Sequence, residues 1–393
     1  MNPKQRIAAA MNHDEPDRIP VMCQLALGHY FLNCSDKPSE IWFASESFAA
    51  ALVELQHRYG FDGILVNLPG RPLDWKDNLE SCQRIDANEH LHWKCGLETM
   101  FPPDDNPQTY LPGRKPLELA DYRSVDIDEP GTYRLGGYLW NTWHAPELWD
   151  IDPRADLCEP AAYPAWFTSA LQQVQQLAPD ISIHVEVFSP FTHLMELFGY
   201  EQALMALVDD PRMCHEALDV FSRIVLAQTE VYAACKPDAI LVSSAFAGAG
   251  FISRAMYEEF VAPYEERIYR AIRQHGSKSY VHTCGAIGDR LDLMSETSVD
   301  GIDTLDPPPL GTVNLEDAKS KYGERFFFKG NLDAVNEMLG ADDETFEKAV
   351  KERIRIGKPG GGYILSSACS VAPHVKPQRL TRLTELAVQL GQY

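Results

Sequence analysis

The chain has 393 residues, 45% of them hydrophobic, and a formal net charge of -22 at pH 7. This length and apolar content allow a large buried core, arranged either as two or three domains or as one large barrel with insertions. The negative charge argues against a nucleic-acid partner and against an anionic membrane surface, because the phosphates of both would repel the protein.

The termini and the cysteines point to the cytoplasm. No apolar run reaches the length of about 18 residues expected of a membrane-spanning helix, and Met1 to Arg6 lack the hydrophobic core of a signal peptide. The nine cysteines are scattered without the spacing of a disulfide framework, which fits reduced thiols. We therefore expect a cytoplasmic protein that does not cross a membrane.

In chain order, short apolar strands alternate with helical segments. A helix-compatible stretch at 3–11 comes first, and later helical patterns include 40–59, 211–234 and 253–274, the last with a kink or division at Pro263. The expected strands are 19–24, 61–67, 181–187, 238–244, 280–284, 299–306, 325–331 and 363–369. Eight strands in this alternation predict an α/β fold, a (β/α)8 TIM barrel formed by one domain over 1–393.

Residues 71–150 interrupt the alternation between the second and third barrel strands. Prolines, tryptophans and charges are mixed there, and 91–95 and 133–140 have the pattern of an antiparallel meander. We interpret this region as an insertion or cap within the barrel domain. Its aromatic residues suit either a flat organic substrate or packing of the cap itself; they are Trp75, Trp93, Tyr138, Trp140 and Trp143.

Three residues at strand ends form a candidate metal site. His282 and Cys284 are two positions apart, so an extended backbone points both side chains to one face. Cys369 ends the eighth strand, and an imidazole with two thiolates is a donor set that zinc prefers. Three protein ligands would leave a fourth position open, as in catalytic zinc sites. The alternative is that both cysteines are ordinary buried thiols and His282 is a hydrogen-bonded core histidine.

Polar residues gather at the same end of the predicted barrel, where catalytic groups of such barrels lie. They are Gln24, Asn67, Glu186, Ser243, Asp303, Asp306 and Asn331. We predict that five of them bind substrate: Gln24, Asn67, Glu186, Ser243 and Asn331. Asp306, or else Glu186, is the expected fourth metal ligand, and both could instead accept a hydrogen bond that orients His282.

Several motifs resemble the uroporphyrinogen decarboxylase superfamily. They are Arg6 to Ala10 running on to Asp17–Val21, then Phe188 to Phe191, Leu197 to Gly199, and Lys329 to Leu332. The resemblance covers nearly the whole chain apart from the insertion. It implies one of two activities: decarboxylation of uroporphyrinogen, or methyl transfer by zinc enzymes that work with corrinoid proteins.

Residues that differ between the two branches favour methyl transfer. The decarboxylases carry an arginine-rich stretch after the first strand that holds the substrate carboxylates, and the corresponding residues 22–30 contain no arginine here. The methyltransferase pattern of His-x-Cys with a distant Cys is matched by His282, Cys284 and Cys369. The resemblance therefore implies that these three residues bind Zn2+ and are catalytic.

The implied reaction moves a methyl group between a small substrate, either a thiol or a methylated or methoxylated compound, and the cobalt of a corrinoid protein. Methylcobalamin or another corrinoid would be carried by that partner, and a homodimer is compatible with this reading. Two alternatives stay open. One is a metal-free uroporphyrinogen decarboxylase, and the other is a non-catalytic corrinoid-binding barrel.

Overall fold

The computed structural model of the protein describes residues 1–113, 115–116, 119–128, 148 and 155–393. The predicted meander strand at 133–140 lies outside these residues, as do Tyr138, Trp140 and Trp143. Within them no helix is both long enough and apolar enough to cross a membrane.

The central sheet contains seven parallel strands in the described ranges. The strands in this part of the chain are β1 Gly63–Val66, β2 Leu79–Ile85, β3 Asn88–Trp93, β4 Glu98–Phe101, β5 Gln108–Leu111, β6 Lys115–Pro116, β7 Ser182–Phe188, β8 Ala239–Ser243, β9 Lys278–His282, β10 Gly301–Thr304, β11 Phe327–Leu332 and β12 Tyr363–Ser367. The seven parallel strands lie in the order β1-β7-β8-β9-β10-β11-β12. Nearly every residue of the seven parallel strands is buried. This explains why they read as continuous apolar runs in the sequence.

The predicted first strand, 19–24, closes the barrel as an extended segment that pairs only at isolated points. Met22 N–H donates to the Leu365 carbonyl of β12 at 3.1 Å, and Leu365 N–H donates to the Pro20 carbonyl at 2.9 Å. On the other side, Asp62 N–H donates to the Val21 carbonyl at 2.7 Å. Pro20 has no N–H to give to a ladder, which limits regular pairing here. The predicted (β/α)8 barrel is confirmed, with its first strand reduced to bridges.

The α-helices among the residues that the structure describes are α1 Pro3–Met11, α2 Leu27–Asn33, α3 Pro38–Phe43, α4 Ser45–Tyr59, α5 Ser169–Leu177, α6 Pro190–Phe198, α7 Tyr200–Asp209, α8 Pro211–Ala233, α9 Arg254–Phe260, α10 Ala262–Gln274, α11 Leu291–Ser295, α12 Leu315–Tyr322, α13 Asp343–Gly357 and α14 Pro377–Leu390. The expected division near Pro263 is confirmed by the break at Val261 between α9 and α10. The single helix predicted over 40–59 is wrong, because Ala44 is extended and separates α3 from α4.

Helix α1 lies across the amino-terminal end of the barrel. Lys4 N–H donates to the Asp180 carbonyl, and the Lys4 ammonium lies 3.0 Å from Asp238, just before β7 and β8 begin. The helix packs its apolar face against inward-facing side chains of the strands. This cluster consists of Ile7, Ala10, Met11, Met22, Leu65, Ala239, Leu241, Tyr280, Phe327 and Ile364. The bottom of the barrel is therefore filled and apolar.

The region after β1 contains a second, antiparallel sheet of β2 to β6 in sequential order. Trp75, just before β2, and Trp93 of β3 contact Phe43 of α3, with ring centroids 5.2 and 4.9 Å from that of Phe43. Trp93 is only 1% exposed. These two tryptophans therefore pack the antiparallel sheet against α3.

Candidate metal centre

The carboxyl ends of β9 and β12 bring His282, Cys284 and Cys369 together. Cys284 Sγ lies 3.3 Å from His282 Nε2 and 3.7 Å from Cys369 Sγ. All three donor atoms lie within 4.8 Å of one another, and no other such group of three occurs among the described residues. A tetrahedral ion with Zn–S and Zn–N bonds of about 2.3 and 2.0 Å would separate its donors by about 3.5 to 3.8 Å. The donor types and their spacing therefore fit zinc.

Glycines allow the backbone to turn around this cluster. Gly285 has φ +76°, which turns the chain directly after Cys284. A Cβ on Gly248 would lie 2.5 Å from the Cys284 carbonyl oxygen, so only glycine lets the loop after β8 approach so closely. Ala249 N–H of that loop donates to the Ala286 carbonyl at 2.8 Å. The segment carrying Cys284 is therefore supported from the neighbouring strand.

A buried ion pair lies beneath His282. The imidazole Nδ1 is 3.0 Å from Asp303 Oδ2, and Lys329 Nζ donates to Asp303 Oδ1 at 2.9 Å. Both side chains of the ion pair are 2% exposed. The sequence analysis named Asp303 only as one polar strand end and Lys329 only as part of a family motif, and it gave neither a role beside His282. Asp303 is the register partner of both His282 and Lys329, and this pairing belongs to the folded sheet, so the sequence carried no local signal for it.

The three donors and Asp303 influence one another's ionisation. Burial lowers the pKa of His282, but Asp303 and Cys369 outweigh it and raise that pKa to about 10. Burial raises the pKa of Asp303, yet Lys329 and His282 bring it down to about 2. The hydrogen bond between the two thiols, reinforced by His282, places the pKa of Cys369 well below and that of Cys284 well above the usual value. Cys369 is therefore the more acidic of the two thiols.

The two candidates for the fourth ligand lie outside the three-donor group. Asp306 Oδ2 accepts a hydrogen bond from Gly285 N–H at 2.6 Å, and burial raises the pKa of its carboxyl to about 6. Glu186 on β7 is buried, which raises its pKa to about 7, and its Oε2 has no hydrogen-bond partner among the described residues. The predicted roles of both carboxylates in metal binding stay predictions.

The predicted substrate-binding residues differ in how their polar atoms are used. Gln24, Asn67 and Ser243 are buried at strand ends, and the first two line one small cavity. The Asn331 amide donates to the Leu305 carbonyl at 2.8 Å and accepts from Arg353 Nε at 3.2 Å. Its hydrogen bonds are therefore made within the barrel wall, and substrate binding by these residues stays a prediction.

The protein is therefore a (β/α)8 barrel with a candidate metal site, since an imidazole and two thiols meet at the carboxyl ends of its strands, where catalytic groups of such barrels lie. The family model for Uroporphyrinogen decarboxylase (URO-D) matches residues 150–390. The chain belongs to this family, as the motifs predicted.

Individual relatives agree with this assignment. The chain is 27% identical over 196 residues to the uroporphyrinogen decarboxylase of Alkalilimnicola ehrlichii, covering 49% of this chain and 51% of the relative. It is 23% identical over 296 residues to that of Nitrosospira multiformis, covering 71% and 78%. The chain spans about half the length of the first of these relatives.

A solved structure confirms the fold. The methyltransferase from Methanosarcina mazei superposes with a TM-score of 0.69 at 14% sequence identity, covering 99% of both chains. At this identity the likeness establishes the barrel fold alone.

Proposed function

We propose that the protein is a zinc-dependent methyltransferase that moves a methyl group between a small thiol, or a methylated or methoxylated compound, and the cobalt of a corrinoid protein. The observation that supports this proposal is the convergence of His282, Cys284 and Cys369 at the carboxyl end of the barrel, with donor spacing that suits zinc. The methyltransferase barrel from Methanosarcina mazei is compatible with it.

In this proposal the three donors hold the metal and leave one position for substrate. Bound zinc would supply Lewis acidity at the substrate heteroatom. Glu186 Oε2 is buried, and this burial raises the pKa of the carboxyl to about 7. The carboxylate could therefore accept a proton that the substrate releases near neutral pH. Gln24 and Asn67 would orient the substrate from the neighbouring strand ends. Exclusion of water by the barrel wall strengthens each of these polar contacts.

A metal-free uroporphyrinogen decarboxylase is the second candidate, because the matched relatives carry that name. The chemistry of its substrate argues against it. Residues 22–30 contain no arginine to pair with the substrate's carboxylates, and the net charge of -22 would repel them. Turnover of uroporphyrinogen by chelator-treated protein would support the decarboxylase and refute methyl transfer.

Zinc content and methyl transfer test the proposal together. We expect about one zinc per chain by elemental analysis, and demethylation of methylcobalamin with at least one of a panel of thiols. Cys284→Ser and Cys369→Ser should each lose zinc and activity while keeping the far-UV circular dichroism of the folded protein. Cys95→Ser is the matched control, because Cys95 is an exposed free thiol outside the donor group.

The opposite results discriminate between the candidates. Full methyl transfer by either cysteine variant would contradict the proposed role of the donor group. Binding of a corrinoid without turnover of any thiol or methylated compound, and without effect of the cysteine substitutions, would favour the non-catalytic barrel.

A further inference from the structure

We propose that Asp303 and Lys329 form a positioning pair that holds His282 ready to bind the metal; this inference rests on the proposed zinc function. The three residues lie at one level of the barrel on adjacent strands. Asp303 of β10 is in register with His282 of β9 on one side and with Lys329 of β11 on the other. The sheet itself therefore fixes the order imidazole, carboxylate, ammonium.

The carboxylate controls the orientation of the imidazole ring. Asp303 Oδ2 accepts from Nδ1 of His282 at 3.0 Å, and the opposite ring nitrogen, Nε2, then lies 3.3 Å from Cys284 Sγ. A ligating histidine that donates its second N–H to a carboxylate has both its tautomer and its ring orientation fixed. In this site the fixed nitrogen is the one that faces the thiols.

Lys329 holds Asp303 in turn and balances its charge. Its ammonium donates to Oδ1 at 2.9 Å, so the two oxygens of Asp303 serve two different partners. An unpaired carboxylate at 2% exposure would be costly. With the lysine present, the ion pair is neutral, and so is a divalent metal with two thiolates. The ion pair, the two thiolates and a divalent metal would therefore carry no net charge together.

The other carboxylates near the centre do not share this arrangement. Asp306 Oδ2 accepts from the Gly285 amide, 2.6 Å away. Oε2 of Glu186 makes no hydrogen bond within the described part of the chain. Asp303 is thus the carboxylate that contacts the imidazole, which replaces the earlier expectation that Asp306 or Glu186 orients His282.

The test measures the affinity for zinc alone, by competition with a chromophoric chelator. We expect Asp303→Asn and Lys329→Met each to weaken zinc binding about 10- to 100-fold. The double variant should lose less than the product of the two single losses, because removing both partners leaves no unpaired buried charge. In Co2+-substituted protein, the d–d absorption bands should shift in Asp303→Asn while the thiolate charge-transfer bands persist.

Asp62→Asn is the matched control. Asp62 is a buried carboxylate that pairs with Arg6 at 2.6 Å and with Arg18 at 2.8 Å, and it lies just before β1, away from the metal centre. Its substitution should lower stability and leave the zinc affinity of the folded protein unchanged.

Three results would overturn the inference. Wild-type zinc affinity in Asp303→Asn would overturn it and leave the proposed function intact. An equal loss of zinc affinity in Asp62→Asn would show that the effect is general destabilisation. Absence of zinc binding by the wild-type protein would overturn both proposals, whereas zinc binding that depends on Asp303 without methyl transfer would overturn only the proposed function.

Discussion

Replacing Glu265 with glutamine should stabilise the protein at alkaline pH. Glu265 lies on α10 and is 1% exposed, and its Oε2 accepts a hydrogen bond from the Tyr269 hydroxyl at 2.7 Å. Burial raises the pKa of this carboxyl to about 7, and the nearby hydroxyls of Ser244, Tyr269 and Ser189 oppose the rise only in part. Ionisation of Glu265 is therefore unfavourable in the folded protein.

The sign and size of this stability change follow from the difference between the pKa of Glu265 in the folded state and its pKa in the unfolded state. The unfolded carboxyl has a pKa near its ordinary value of 4.5, so between pH 4.5 and 7 the folded state binds more protons. The protonated carboxyl stabilises the fold below pH 4.5, and this contribution is lost as pH rises to about 7. Each pKa unit corresponds to about 1.4 kcal/mol, so the full loss is on the order of 3 kcal/mol.

Glutamine resembles the protonated acid and stays neutral at every pH. Glu265→Gln should therefore raise the free energy of unfolding by on the order of 3 kcal/mol at pH 8 and change it little at pH 5. Urea unfolding at the two pH values measures this difference. Glu258→Gln is the control, because Glu258 is exposed on α9 and solvent screens its charge. An equal change at both pH values for Glu265→Gln would refute the reasoning.

Two further predictions concern stability. Asp62→Asn should lower the free energy of unfolding by about 3 to 5 kcal/mol, because it leaves Arg6 and Arg18 without a buried carboxylate. A loss under about 1 kcal/mol, which is typical of an exposed ion pair, would contradict this prediction. Gly301→Ala should cost about 1 to 3 kcal/mol, since a Cβ there would lie 2.4 Å from the Phe327 ring. An unchanged Tm in thermal unfolding would argue against that overpacking.

The parallel strands were predictable from the sequence, because burial on both faces makes each strand a short apolar run. The parts that failed depend on contacts between distant segments. The expected helix over 40–59 is broken after α3, where the Trp42 carbonyl accepts a hydrogen bond from Arg71 Nε at 3.0 Å. Arg71 comes 29 residues later in the chain, so no local propensity reports its effect.

In the candidate site too, local features were predictable and contacts between distant strands were not. The spacing of His282 and Cys284 is local and could be interpreted directly, and Cys369 was recognisable as the end of a strand. The ion pair of Asp303 with Lys329 requires the register of three strands, which one sequence without its relatives does not define. The hydrogen bond from Arg353 Nε of α13 to the side-chain oxygen of Asn331 likewise joins distant segments and could not be predicted, and substrate contact by Asn331 stays a prediction.

Helix α1 and the apolar cluster beneath it close the amino-terminal end of the described barrel, so the barrel is open only at its carboxyl-terminal end. Anything that reaches the sulfur and imidazole atoms must descend from the carboxyl-terminal side and depart by the same route. The proposed methyl transfer therefore predicts that the small molecule binds before the carrier protein, because the carrier would cover the same opening.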